Sequence, residues 1–166
     1  LVEAVDRING AKAVDPDIEV INVVVGDWVD PIKGAEVTRA LFTRGVDIVW
    51  YTTGASTYGC VTEAAAQKKY AVASDNNSIA LDPETIMGCT MIQGEPISYD
   101  IMMRAATGEL PYGTADVFGA ADGTITFTFD DPVYQEKVPQ DIRDAMAAMY
   151  ADLVAGKIDP FKDPTA

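Results

Sequence analysis

The sequence of 166 residues has no histidine, two cysteines and only seven lysines. Without histidine there is no Ser-His-Asp triad, no Cys-His pair and no histidine-ligated zinc. Cys60 and Cys89 fit no Cys-x-x-Cys spacing, so neither metal nor dithiol chemistry is suggested and two free, buried thiols are expected. No apolar run approaches the roughly 20 residues a bilayer-spanning helix needs. Neither GxGxxG nor a Walker loop occurs. Ser56, Cys60 and several threonines are nucleophiles with no readable base beside them, and the carboxylates share no distinguishing spacing. No catalytic residue, metal or cofactor is assigned.

What is present is acid. Twenty-six acidic side chains face 12 basic ones, a formal net charge of −14, with Asp outnumbering Glu by 18 to 8. Such a surface repels nucleic acid and anionic membranes at long range. It suits high salt, where self-repulsion is screened, and equally an ordinary acidic protein. With 48% hydrophobic and 23% charged residues, the chain is globular rather than disordered. Its length suits one domain, burying roughly two-thirds of the surface of its unfolded chain.

Periodicity gives the order of elements. Residues 1–14 read as an amphipathic helix with Leu1, Ala4, Val5, Ile8 and Ala11 on one face. Residues 18–25, rich in Val and Ile, read as a buried strand. Asp30 followed by Pro31 predicts a capped helix that stops at Gly45. Strands are expected over 46–51, 70–74 and 85–93, with helices over 58–69, 96–107 and 140–155. Residues 112–119 and 124–129 read as strands flanking the turn at 120–123. The proline-containing tail, 157–166, is expected to be loosely ordered.

Strands alternating with helices imply an α/β fold, a doubly wound parallel sheet whose ligands sit at the carboxyl ends of the strands. The exit loops are therefore the informative segments. Trp28 could stack on a planar ring or simply cover the end of the core. Residues 52–57, hydroxyl-rich and opening a helix, could hold a polar oxygen or form a plain capped turn; they loosely resemble the phosphate loop of flavodoxins. Asp75 could accept hydrogen bonds from the neighbouring hydroxyls of a sugar, or cap a turn.

The motifs also carry a resemblance. Residues 9–17 (NGAKAVDPD) and 26–34 (GDWVDPIKG) resemble the "GAkavnPd" and "Gsf/w-DPakg" stretches of the basic membrane protein family of ABC-transporter substrate-binding proteins. Residues 45–49 (GVDIV) are similar to its "GaDvi" strand, and Gly54, Gly59 and 61–65 (VTEAA) to its glycine turn and helix. Residues 70–75 (YAVASD) are similar to "yaiGvDsD", and 119–123 (GAADG) to "GlkdG". The order is kept along nearly the whole chain.

The resemblance implies one lobe of a two-lobed type I periplasmic binding protein that closes on its ligand. Characterised relatives bind purine nucleosides, are exported, often as lipoproteins, and deliver ligand to a permease and an ATPase. It assigns Trp28 to stacking on a base, Gly54 and Ala55 to the cleft-lining turn, and Asp75 to ribose hydroxyls. Asn77 stands at the second carboxylate position of "GvDsD" as a neutral hydrogen-bonding group. Ile92, followed by Gln93, occupies the position where nucleoside-binding relatives carry a lysine, which leaves room for another small polar ligand.

On this resemblance residues 1–95 form a segment of the C-terminal lobe lacking its first strand, 96–156 hold crossover elements and the terminal helix, and 157–166 a tail. The sequence is expected to be the later part of a longer, lipid-anchored extracytoplasmic protein. Alternatives are a ligand-sensing regulatory domain on the same fold and a flavin-binding α/β enzyme using residues 52–57. Intact mass spectrometry of the natural product is expected to give a mass well above the 17.7 kDa of this sequence; a mass of that size overturns the expectation.

Overall fold

The structure is a computed structural model that describes residues 2–162. Helix α1 spans Val2–Val14. The predicted apolar face of this helix includes Leu1, Ala4 and Val5, which lie outside the described residues and side chains; Ile8 and Ala11 are half-buried. Helix α2 (Pro31–Thr43) begins where the Asp-Pro signal places it: the Asp30 side chain accepts hydrogen bonds from the backbone N–H groups of Ile32 and Lys33. Strand β1 (Ile48–Trp50), helix α3 (Thr57–Ala66), strand β2 (Tyr70–Ala73) and strand β3 (Ile86–Ile92) follow. Helix α4 covers Gly94–Thr107, β4 Ile125–Phe127, α5 Pro132–Lys137 and α6 Gln140–Val154.

The four strands form one sheet in the order β1-β2-β3-β4. The first three run parallel, with Val49 opposite Ala71 and Val72 opposite Gly88. Strand β4 is antiparallel to β3, Met91 facing Thr126. This is the expected α/β sheet with one antiparallel edge. The core gathers Val49, Val61, Ala64, Ala71, Ile79, Ile86 and Tyr134. Phe127, Phe129 and Tyr134 meet edge-on or tilted, with centroids 5.3 to 6.3 Å apart, so α5 and β4 close one side of it.

Two expectations need correction. Residues 18–25 form no strand, and Val24 is 85% exposed. A strand needs a paired edge. The edge of β1 away from β2 has no ladder among the described residues, and Val23, Val24 and Val25 share with Val49, Trp50 and Tyr51 the lining of an open cavity. Residues 112–119 are likewise not a strand, with Val117 93% exposed. The turn after them is satisfied locally: Asp122 Oδ2 accepts from Gly119 N at 2.9 Å and Oδ1 from Thr124 N at 3.1 Å, so no hairpin ladder grows. Helix α5 was unexpected, although Asp131 and Pro132 repeat the signal of Asp30 and Pro31. In the tail, the Pro160 carbonyl accepts from Asn9 Nδ2 at 2.9 Å, tying it to α1; residues 163–166 lie outside the described residues.

Helices α2 and α3 pack backbone to backbone. A Cβ on Gly59 would lie 1.7 Å from the Pro31 carbonyl oxygen, and one on Gly34 2.3 Å from that of Ser56. Neither neighbour is a flexible side chain, so the helices themselves must part to admit a methyl group. Gly59→Ala is expected to cost about 1–3 kcal/mol or more, read as a lower urea midpoint at unchanged slope. Gly10→Ala, in an open helical position, is expected to stabilise by about 0.5–1 kcal/mol. A Gly59→Ala protein as stable as its parent would contradict the close approach.

Candidate functional site

The loop before α2 meets the exit loops of β1 and β2 at one end of the sheet. Ser56, fully buried, is the joint: its Oγ accepts from Asp30 N at 3.0 Å and donates to the Asp27 carbonyl at 3.0 Å. The Trp28 carbonyl accepts from Ala55 N at 2.8 Å and Ser56 N at 3.3 Å. Gly54, at φ +56°, lies under the Trp28 residue, where a Cβ would sit 2.7 Å from its carbonyl oxygen and 3.4 Å from the ring. Glycine is required there by both conformation and space. The structure thus brings Trp28, Gly54 and Ala55 together, with the indole 66% exposed.

The second and third loops are joined by hydroxyls. Thr52 Oγ1 donates to Ser74 Oγ at 3.0 Å, and Trp50 Nε1 donates to the same oxygen at 2.8 Å. Arg7 Nη2 donates to Thr52 Oγ1 at 2.6 Å, its guanidinium 4.8 Å from the Trp50 ring centroid. This cluster stands directly before Asp75. Asp75 is exposed and left-handed, at φ +79°, and its carbonyl accepts from Ile92 N at 3.0 Å. Among the described residues its carboxylate has no hydrogen bond or ion pair. A left-handed non-glycine residue is held by its surroundings at a conformational cost.

Asn77 is differently placed. Its Oδ1 accepts from Ile79 N at 3.1 Å and its Nδ2 donates to Asp131 Oδ2 at 2.8 Å. The side chain is thus engaged in joining the third exit loop to the cap of α5. Ile92, half-exposed, ends β3, and Gln93 Nε2 donates to Thr126 Oγ1 at 3.1 Å across to β4.

Beneath Trp28 lies a cavity of about 490 Å³. Its lining mixes polar side chains, among them Arg7, Asn22, Asp27, Thr52 and Thr53, with Trp28 and aliphatic ones such as Val23, Val37 and Leu41; Gly54, Ala55, Asp75 and Asn77 lie outside it. The Tyr51 hydroxyl is buried without a partner among the described residues, and burial first, then the nearby thiols and Asp82, push its pKa far above the ordinary value. Cys60 and Cys89 are buried and unpaired, and burial raises the Cys89 thiol. Among the described residues no cluster of three or more His, Cys, Asp or Glu could hold a metal, and no helix is long and apolar enough to cross a membrane.

The pattern of similarity agrees with this architecture. The profile of the PnrA-like ABC transporter substrate-binding proteins, Bmp, matches residues 8–157. The chain belongs to this family. Its homologues are substrate-binding proteins rather than enzymes. This Bmp chain is 24% identical over 91% of its length to the ABC transporter nucleoside-binding protein BmpA of Lactococcus lactis, and 26% identical over 98% to a purine-binding protein of Brucella abortus. It covers only 46% and 45% of those two proteins. A solute-binding protein of an ABC transporter system from Aeropyrum pernix superposes with TM-score 0.71 at 18% identity, over 95% of this chain and 51% of that one. A transcriptional activator of the comK gene from Bacillus halodurans gives 0.76 at 18% identity, over 91% and 51%. These two likenesses show the fold.

What the sequence did not single out is the Arg7–Thr52–Ser74–Trp50 cluster. Its only signal was a hydroxyl after each of two parallel strands.

The Asn77 bond, ahead of backbone N–H groups of α5, holds the Asp131 carboxyl below its usual range. A lowered folded pKa stabilises above the unfolded value, about 4, and the gain is lost as pH falls through the folded value. Asn77→Ala is therefore expected to destabilise at pH 7, the deficit shrinking below about pH 4. Urea titrations at several pH values check this; an equal deficit at pH 2 would assign the loss to packing instead.

Proposed function

We propose that the chain is the ligand-closing portion of a receptor for an ABC importer and binds a purine nucleoside or a similar small polar molecule. The observation that carries this reading is the convergence of Trp28, the Gly54–Ala55 turn and Asp75 on one end of the sheet in a Bmp-family chain. An exposed indole offers a face for a flat base, with about 0.5–1.5 kcal/mol from ring stacking beyond area burial. Asp75 is an acceptor-only group suited to paired hydroxyls. Gly54 and Ala55 leave room for ligand to approach backbone. Asn77 retains one amide proton for ligand, its other bonds being structural.

In this reading residues 1–95 belong to one lobe and 96–156 to its crossover elements and terminal helix. The ligand bridges to a second lobe, and closure about it is a hinge motion. The protein works outside the cytoplasmic membrane, lipid-anchored, and hands ligand to a permease and ATPase. Ile92 stands where nucleoside-binding relatives often carry a lysine, and this departure leaves room for another small polar ligand.

Full-length protein is expected to show a raised melting temperature with adenosine, guanosine or inosine, by mass action. Asp75→Gly deletes the carboxylate while keeping the left-handed backbone, and is expected to abolish the shift. No shift with any of the three at millimolar concentration overturns the nucleoside reading. A shift that survives Asp75→Gly removes that residue from the site.

A further inference from the structure

We infer that Ser74 and Thr52 form an ordered hydroxyl pair that presents a single O–H donor beside Asp75, and so selects a ligand with an acceptor atom next to the hydroxyls that Asp75 holds. The inference deepens the nucleoside reading and takes that reading as its premise.

Counting protons carries it. A guanidinium and an indole N–H only donate. Arg7 therefore occupies a lone pair of Thr52 Oγ1 at 2.6 Å, and Trp50 one of Ser74 Oγ at 2.8 Å. The two hydroxyls are 3.0 Å apart and their own bond consumes one of their two protons. One proton is left. Thr52 donates to Ser74, so Ser74 Oγ accepts twice, both its lone pairs are occupied, and its own O–H is the proton left over. Among the described residues neither hydroxyl has a further partner to take that proton.

Position makes this a recognition element. Thr52 lines the cavity with Trp28 and Thr53, and Ser74, just after β2, immediately precedes Asp75. Two adjacent residues thus offer opposite polarity: a carboxylate that takes hydroxyl protons, and a hydroxyl that gives one. A ring nitrogen, a carbonyl oxygen or a ribose ring oxygen satisfies the donor. A ligand bearing a hydrogen-bond donor at that place leaves two protons facing each other. A built polar site discriminates strongly against a partner that leaves its groups unpaired. Trp50 and Arg7 are positioning residues here, since each fixes the pair by filling a lone pair.

The experiment is a cycle on full-length protein by isothermal titration. The probes are whichever of adenosine, guanosine or inosine binds, and its 3-deaza, 7-deaza and carbocyclic analogues, each lacking one acceptor. Ser74→Ala is expected to weaken the parent nucleoside about three- to tenfold. One analogue is expected to bind wild type and Ser74→Ala equally, identifying the acceptor. Trp50→Phe frees a lone pair on Ser74, and is expected to narrow the gap between parent and that analogue. If no nucleoside binds at all, the nucleoside reading fails first. If the nucleoside binds and Ser74→Ala matches wild type, or every analogue loses equally with Ser74→Ala, the hydroxyl pair has no part in recognition.

Discussion

The arrangement of this end of the molecule depends on one buried hydroxyl. Ser56 Oγ sits between the N–H of Asp30 and the carbonyl of Asp27, so the loop that carries Trp28 cannot move independently of the loop that carries Gly54. The same short segment is pressed against α2, where Gly34 admits the Ser56 carbonyl at a distance no side chain would tolerate. Close helix packing, loop position and indole placement are therefore one constraint. A buried hydroxyl satisfied as both donor and acceptor is favourable where a half-satisfied one is not. This is why a serine, rather than an alanine of similar size, suits the joint.

A second layer of order comes from short polar side chains bonding to nearby backbone. Asp30 and Asp131 each cap a helix that begins with proline, and Asp122 closes the turn before β4. In a chain with few lysines, aspartates thus find their partners among N–H groups more than among cations. The Arg39–Glu63 pair, bidentate at 3.0 and 2.6 Å, is an exception that links α2 to α3. With most of the negative charge at the surface, repulsion is spread over exposed positions, where solvent and salt weaken it.

Local signals were legible wherever the chain's own chemistry decides the outcome. The Asp30–Pro31 start, the Gly45 stop and the β-branched run at β1 gave the right elements, and Asp131–Pro132 carried the same message unread. Residues 18–25 were misread because their composition is that of a strand, whereas a strand exists only with a neighbour to pair with. Residues 112–119 failed for the related reason that a turn closed by its own aspartate does not enforce a hairpin. At the site, Trp28, Gly54 and Ala55 were chosen one by one along the chain, and their contact follows from the Ser56 joint, which no periodicity reveals. The hydroxyl cluster was invisible for another reason: Arg7 and Thr52 lie 45 residues apart. The Asn77–Asp131 bond is hidden from the sequence for the same reason, since it spans 54 residues.

The two thiols give the fold a chemical memory. Cys60 and Cys89 are 3% and 0% exposed, each enclosed by the core rather than poised at its surface. Burial raises the Cys89 thiol, and both side chains are out of reach of oxidants. In an oxidising compartment the reduced state is then preserved for as long as the chain stays folded, and any oxidised cysteine records an earlier opening. The redox state of a preparation therefore reports how its molecules were folded and stored, as much as where they came from.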